Sequence, residues 1–176
     1  GMETQASQPL TKGDYEYQVN EDGNSVTITG YNGYGGDITI PSEIDGKKVT
    51  SIRNAFLGYG CLTGVIIPDS VTGIETNAFA SCRNLERVVI PNSITHIDPY
   101  AFDSCNELTS ITIPDSVTSI GAGAFAECTS LTEIKISDSV TSIEFGAFSN
   151  CCKLVKIDIP NGITSIGDSA FYHCGN

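Results

Sequence analysis

Positive charge is scarce in this chain. Nine Lys and Arg stand against 21 Asp and Glu, so the formal net charge is −12, and the isoelectric point lies near 4.3. Phosphate backbones and anionic headgroups recruit basic patches, so the charge argues against nucleic acid and anionic membrane surfaces as partners. Long apolar runs are missing too. No stretch approaches the roughly 18 apolar residues of a membrane-spanning helix, so no span is expected. No secretory leader is visible. Gly1 ahead of Met2 reads as an expression scar, and residues 1–12 read as a polar, disordered tether. Histidine is nearly absent. With only His96 and His173, no acid–base pair, metal pair or nucleophile triad is assembled, and no enzyme activity is expected.

Repetition is what the chain has in excess. The segment LTSITIPDSVTSIGAGAFAEC, Leu108 to Cys128, recurs at intervals of 23 residues. Phe79, Phe102, Phe125, Phe148 and Phe171 mark that interval, and Phe56 begins the series. A period of 23 falls in the range of leucine-rich repeats. Leu108, Ile111 and Ile113 point inward from a short strand with alternating pattern. Pro114 lacks a backbone donor and ends it. Asp115 and Ser116 supply a turn. Val117 and Ile120 flank a second extended piece. Gly121 and Gly123 then break it, and Ala124, Phe125 and Cys128 turn the chain back, as a helical or 3₁₀ turn.

One coil is not stable alone. It buries about six large apolar side chains at roughly 2 kcal/mol each, while ordering its backbone costs about 1–2 kcal/mol per residue. Stability must therefore come from stacking.

The Leu-x-x-Ile-x-Ile-Pro strand, the Ser-Val-Thr-Ser-Ile segment and the closing Ala-Phe-x-x-Cys resemble the leucine-rich repeats of the BspA-like family, the Treponema pallidum type. The resemblance covers roughly residues 38–176 and rests on five nearly complete copies. It implies an α/β-type leucine-rich repeat solenoid, mostly β, a right-handed stack of 23-residue coils with parallel strands and short helical or 3₁₀ turns. It also implies a secreted or cell-surface bacterial protein whose leader or lipid anchor has been removed, with a role in adhesion to host matrix or other cells. One departure concerns the usual asparagine ladder, replaced here by Ser70, Ser93, Ser116, Ser139 and Gly162. The second side of each coil is therefore expected to be strand-like.

Residues 13–37 read as an N-terminal β-hairpin cap: Asp14–Val19 and Ser25–Thr29 alternate around a turn at Gly23. Residues 38–176 are the solenoid. Its first coil is irregular, with extra residues around Asp45-Gly46, a tight-turn signal that predicts a small projecting hairpin. The last coil is incomplete and lacks a visible polar cap, so it is expected to be covered by a second copy, end to end, or by native residues missing from this chain. Five of the seven cysteines, Cys82, Cys105, Cys128, Cys151 and Cys174, share one repeat column. They are expected to be a ladder of buried thiols rather than disulfides or a metal site. Cys61 and Cys152 fall outside that column.

The candidate binding face is the outward side of the first strand of each coil. In order it presents Gly64 and Ile66, Arg87 and Val89, Ser110 and Thr112, Glu133 and Lys135, Lys156 and Asp158, grading from apolar to charged. Glu133 should meet Lys156, and Lys135 should meet Asp158. This face is either a solvated sheet stabilised by those pairs or a recognition surface for a protein or glycan. Tyr31, Tyr34 and Tyr59 form a secondary candidate cluster, for which packing of the cap is the simpler reading. Asp69, Asn92, Asp115, Asp138 and Asn161 share a turn column that favours backbone turn chemistry over Ca²⁺. No cofactor or metal is expected. The rival to a binding module is a structural spacer stacking on further repeats.

Overall fold

A computed structural model describes residues 10–175. The chain winds as a mostly β solenoid of stacked coils. Each regular coil contributes one strand to each of two sides. The first side holds β4 (Gly36–Thr39), β7 (Leu62–Ile66), β9 (Arg87–Val89), β11 (Ser110–Thr112), β13 (Glu133–Lys135) and β15 (Lys156–Asp158). The second side holds β6 (Lys47–Ile52) and the two-residue strands β8 (Gly73–Ile74), β10 (His96–Ile97), β12 (Ser119–Ile120), β14 (Ser142–Ile143) and β16 (Ser165–Ile166). Pairing within both stacks is parallel, and from β7 onward it is in register at the repeat interval. The expected strand-like second side is present.

The cap is larger than a hairpin. β1 (Leu10–Lys12), β2 (Tyr15–Val19) and β3 (Ser25–Tyr31) pair antiparallel in sequence, and β3 then lies parallel to β6. The cap thus extends the second side into one ten-stranded sheet. Residues 10–12, expected in the tether, belong to the cap: Leu10 and Lys12 pair with Tyr17 and Tyr15. The rest of the expected tether lies outside the described residues. The predicted projecting hairpin is β5 (Glu43–Ile44) against β6, joined by Asp45 and Gly46 with φ of 50° and 77°. Both residues are left-handed, as a two-residue hairpin turn of this type requires. Tyr17 Oη donates to Asp45 and ties this hairpin to the cap.

The turn-back segments form no helix. In the third coil the N–H groups of Ala101, Asp103 and Cys105 bond back to Asp98, Tyr100 and Phe102, the i→i+3 pattern of a 3₁₀ turn. The N–H groups of Tyr100, Phe102 and Ser104 bond instead to Ala122, Ala124 and Ala126 of the next coil. Left-handed residues, Tyr100 at φ 62° and Ser104 at 59°, make the alternation possible. Half the donors are spent between coils, so the turns are a third ladder along the stack.

The core is a set of columns. The six column phenylalanines stack with ring centroids 5.0–5.5 Å apart and planes within 6°. Tyr31 continues the stack into the cap, 5.1 Å from Phe56 and 5.3 Å from Tyr15. Each column cysteine donates from Sγ to a phenylalanine carbonyl 26 residues earlier, as Cys128 does to Phe102 at 3.3 Å. Cys82, Cys105, Cys128 and Cys151 are buried, Cys174 is half-buried, and Cys61 and Cys152 are exposed. Burial pushes the thiols of Cys82 and Cys128 up to about 12.

Candidate binding face

The first side presents the residues expected of it. Ile66, Arg87, Val89, Ser110, Thr112, Glu133, Lys135, Lys156 and Asp158 are all exposed, while Val65, Ile111 and Ile134 between them are buried. Register places Glu133 beside Lys156 and Lys135 beside Asp158. Lys156 Nζ lies 3.6 Å from Glu133 Oε1. Lys135 and Asp158 are neighbours that do not close to an ion pair.

The face is not continuous. β4, β7 and β9 form one three-stranded sheet, and β11, β13 and β15 form another. No ladder bond joins β9 to β11. Val88 and Ile90 are only half-buried at this break, whereas their equivalents in the neighbouring coils, Val65, Ile67, Ile111 and Ile113, are buried. An opening of about 290 Å³ lies there, between Val88–Ile90 and Ser110–Thr112. Arg87 and Val89 are therefore separated from Ser110 and Thr112.

The N-terminal half of the face holds an organised polar group. Arg87 Nη2 donates to Asp37 Oδ1 at 2.7 Å, although the two residues lie two coils apart. Thr63 Oγ1 donates to the same oxygen at 2.8 Å, and Arg87 Nη1 donates to Glu86 Oε2 at 2.9 Å. The contact passes over Gly64, which pairs with Asp37 on one side and Arg87 on the other. A Cβ on Gly64 would fall 2.6 Å from Asp37 Oδ1. The missing side chain leaves a hollow of about 260 Å³, bordered by the exposed Ile66 and Val89. The hydrogen bonds from Thr63 and then Arg87 hold the Asp37 carboxyl below its ordinary value. Asp37 escaped sequence reasoning because the projecting hairpin lengthens the first coil: 27 residues separate it from Gly64, against 23 at each later step.

The secondary tyrosine candidates separate. Tyr31 and Tyr59 are half-buried, with ring centroids 5.0 Å apart, and close the end of the aromatic stack. Burial raises the pKa of Tyr59. Tyr34 is fully exposed on its loop and joins no aromatic pair among the described residues. Tyr31 and Tyr59 therefore serve the cap, and of the three candidates Tyr34 is the exposed one.

The two histidines stand in separate surroundings. His96 Nε2 lies 3.8 Å from Asp98 Oδ1, and His173 stacks on Tyr172 with centroids 4.0 Å apart. Among the described residues no group of three or more His, Cys, Asp or Glu is close enough to hold a metal ion. Among the described residues no helix is long and apolar enough to cross a membrane.

Comparison with known proteins agrees with this geometry. Residues 50–176 match the BspA type leucine-rich repeat region in 6 copies. A leucine-rich cell surface protein from Faecalibacterium prausnitzii is 35% identical over 98% of this chain and 54% of its own, with a TM-score of 0.71. A leucine-rich repeat protein of T. pallidum is 29% identical over 95% of this chain and 89% of its own, with a TM-score of 0.74. The pneumococcal vaccine antigen PcpA shares the fold at 24% identity and a TM-score of 0.77, over 97% of this chain and 49% of its own. This chain thus spans about half the length of the F. prausnitzii protein and of the antigen. No curated protein matches the sequence.

Proposed function

The chain belongs to the BspA-type leucine-rich repeat family, and from that premise we propose that it is a non-enzymatic bacterial binding module, displayed at the cell surface or secreted, whose first-side strands bind a protein or glycan. The observation that carries the reading is the hollow over Gly64. Open solenoid strand faces are binding surfaces by geometry, since they offer many aligned side chains on a rigid support. Here the aligned positions converge on one amphipathic place. Ile66 and Val89 offer apolar contact, and Asp37, Thr63 and Arg87 offer hydrogen-bonding groups already fixed by one another. Preorganised polar groups beside exposed apolar side chains suit recognition, because little side-chain order is left to lose on binding. The described relative from F. prausnitzii is a cell surface protein, which supports the location.

The test is a binding screen of the chain against matrix proteins, mucin glycans and bacterial surface proteins. Any hit is then repeated with Arg87→Ala and Val89→Ala together, and with Lys135→Ala and Lys156→Ala together. Loss of binding in the first pair with an unchanged melting temperature is the expected outcome. A verified ligand that binds both double variants at full affinity would move the site off this face, to the Tyr34 loop or the opposite side.

A second reading is favoured by a separate observation. The last rung exposes Val155, Ile159 and Ile166, and the outer edges of β15 and β16 are unpaired among the described residues. That surface suits assembly, end to end, on another apolar rung.

A further inference from the structure

An apolar trough lies on the turn-back edge, away from both strand faces. Tyr100 and Phe145 form its walls, and Gly123, Gly146, Ala126 and Ser149 line its floor. The two rings are unusual for their columns. Tyr100 stands where Gly123 and Gly146 follow, and Phe145 stands where Pro99 and Ala122 precede. Tyr100 lies against Gly123 so closely that a Cβ there would meet its ring at 2.5 Å. The glycines keep the floor low. The open trough offers about 170 Å³, room for one long side chain. Tyr100 is 45% exposed and Phe145 is 60% exposed. Neither ring completes the core, because the phenylalanine stack runs beneath them without a gap.

The surroundings are acidic and lack a counterion. No Lys or Arg lines the trough, and residues 88–134, which supply Tyr100, Gly123 and Ala126, contain none. Asp103 occupies the column of Ala126 and Ser149, one coil earlier, and Glu127, Glu144 and Asp168 adjoin lining residues. Among the described residues none of these four carboxylates forms an ion pair. Asp103 is half-buried. Burial raises its pKa, and the charge of Glu127 adds to the shift against a hydrogen bond from Ser104. The place that lacks a cation is thus the place that offers two aromatic faces.

We propose that the trough between Tyr100 and Phe145 is a second binding site, which takes an arginine side chain presented by a partner protein. A guanidinium is planar and weakly hydrated, so it stacks on aromatic rings in a slot where an ammonium would keep its water. Once seated it supplies the positive charge that Asp103, Glu127, Glu144 and Asp168 lack. The site is independent of the strand face, so its failure leaves that reading untouched.

The experiment is an NMR titration of the full chain with N-acetyl-arginine amide. A parallel titration uses N-acetyl-citrulline amide, which keeps the shape and removes the charge. The amides of Gly123 and Gly146 should shift and saturate with the arginine probe. The citrulline probe should bind at least about fivefold more weakly, and added salt should weaken the arginine probe further. Phe145→Ala should cost about three- to fivefold in affinity. Should that variant lose its dispersed spectrum, Glu144→Gln with Asp168→Asn replaces it, with a loss of similar size expected. No shift at Gly123 and Gly146, an equal response to citrulline, or full affinity in the folded variants would overturn the proposal. Saturating shifts there with a neutral methyl hexoside, and none with arginine, would do the same.

Discussion

Phe125 shows what one residue contributes to a stack. Its ring lies between Phe102 and Phe148 at 5.2 and 5.5 Å, nearly parallel to both, and it is fully buried. Removing it opens a cavity that neighbouring coils cannot close without breaking their own register. Phe125→Ala should cost about 3–5 kcal/mol in urea unfolding; a loss under roughly 1 kcal/mol would mean that the ring stack adds little beyond the strands. The thiol column carries a pH dependence. An unfolded thiol ionises near 9, while Cys82 and Cys128 in the core are pushed up to about 12 by burial. Between those values the folded chain holds protons that the unfolded chain has released. Stability is therefore complete below pH 9 and falls as pH rises toward 12, by about 1.4 kcal/mol per pH unit for each such thiol. Tyr15, also raised to about 12 by burial, acts in the same direction above pH 10. Urea midpoints at pH 8, 9.5 and 10.5 should fall progressively, and more gently in Cys128→Ser. Midpoints that stay level would mean that the column thiols are not buried as placed.

Elements differ in how far the sequence foretells them. The first-side strands were legible because Ile111 and Ile113 alternate with polar residues and Pro114 stops the ladder. The second-side strands were legible as extended pieces between Val117 and Ile120. The turn-back segments were legible only in part. Their 3₁₀-type bonds follow from local sequence, but the donors of Tyr100, Phe102 and Ser104 go to the next coil, and a single repeat contains no sign of that. The binding hollow needed a distance that the repeat does not encode, since the β5–β6 hairpin shifts Asp37 out of the regular count. Gly64 is the element-scale test of that hollow. Gly64→Val places a Cβ 2.6 Å from Asp37 Oδ1, so the Asp37 carboxylate should shift and its Arg87 contact loosen. The bridge is exposed, so its loss should leave stability nearly unchanged. Asp37 is held low by Thr63 and Arg87, so its titration, followed by carbon NMR, should rise toward that of an ordinary carboxylate in the variant. An unmoved Asp37 would show that the bridge is not formed in solution.

At the scale of the whole molecule the two ends are unlike. At one end β1, β2 and β3 extend the second-side sheet, and Tyr15, Tyr31 and Tyr59 close the aromatic column. At the other, Ile159 and Ile166 occupy columns whose earlier members are mostly buried, yet are 43% and 49% exposed, and Val155 is 79% exposed. The backbone edges of β15 and β16 face the same way without partners among the described residues. A rung of this kind hides its apolar side chains and pairs its edges only against another surface of similar shape. The cap denies that role to the first coil, so the last rung is open either to further residues of a longer protein or, in this 176-residue chain by itself, to a second copy met last rung to last rung as a closed two-fold pair. Sedimentation at rising concentration should show a monomer–dimer equilibrium with no larger species. Ile166→Lys should abolish the dimer, because it sets two like charges in an apolar contact. Ile66→Lys, on the strand face, should leave the dimer intact. A monomer at every concentration, with the amides of residues 155–159 well protected from exchange, would show instead that the open rung is stable against water alone.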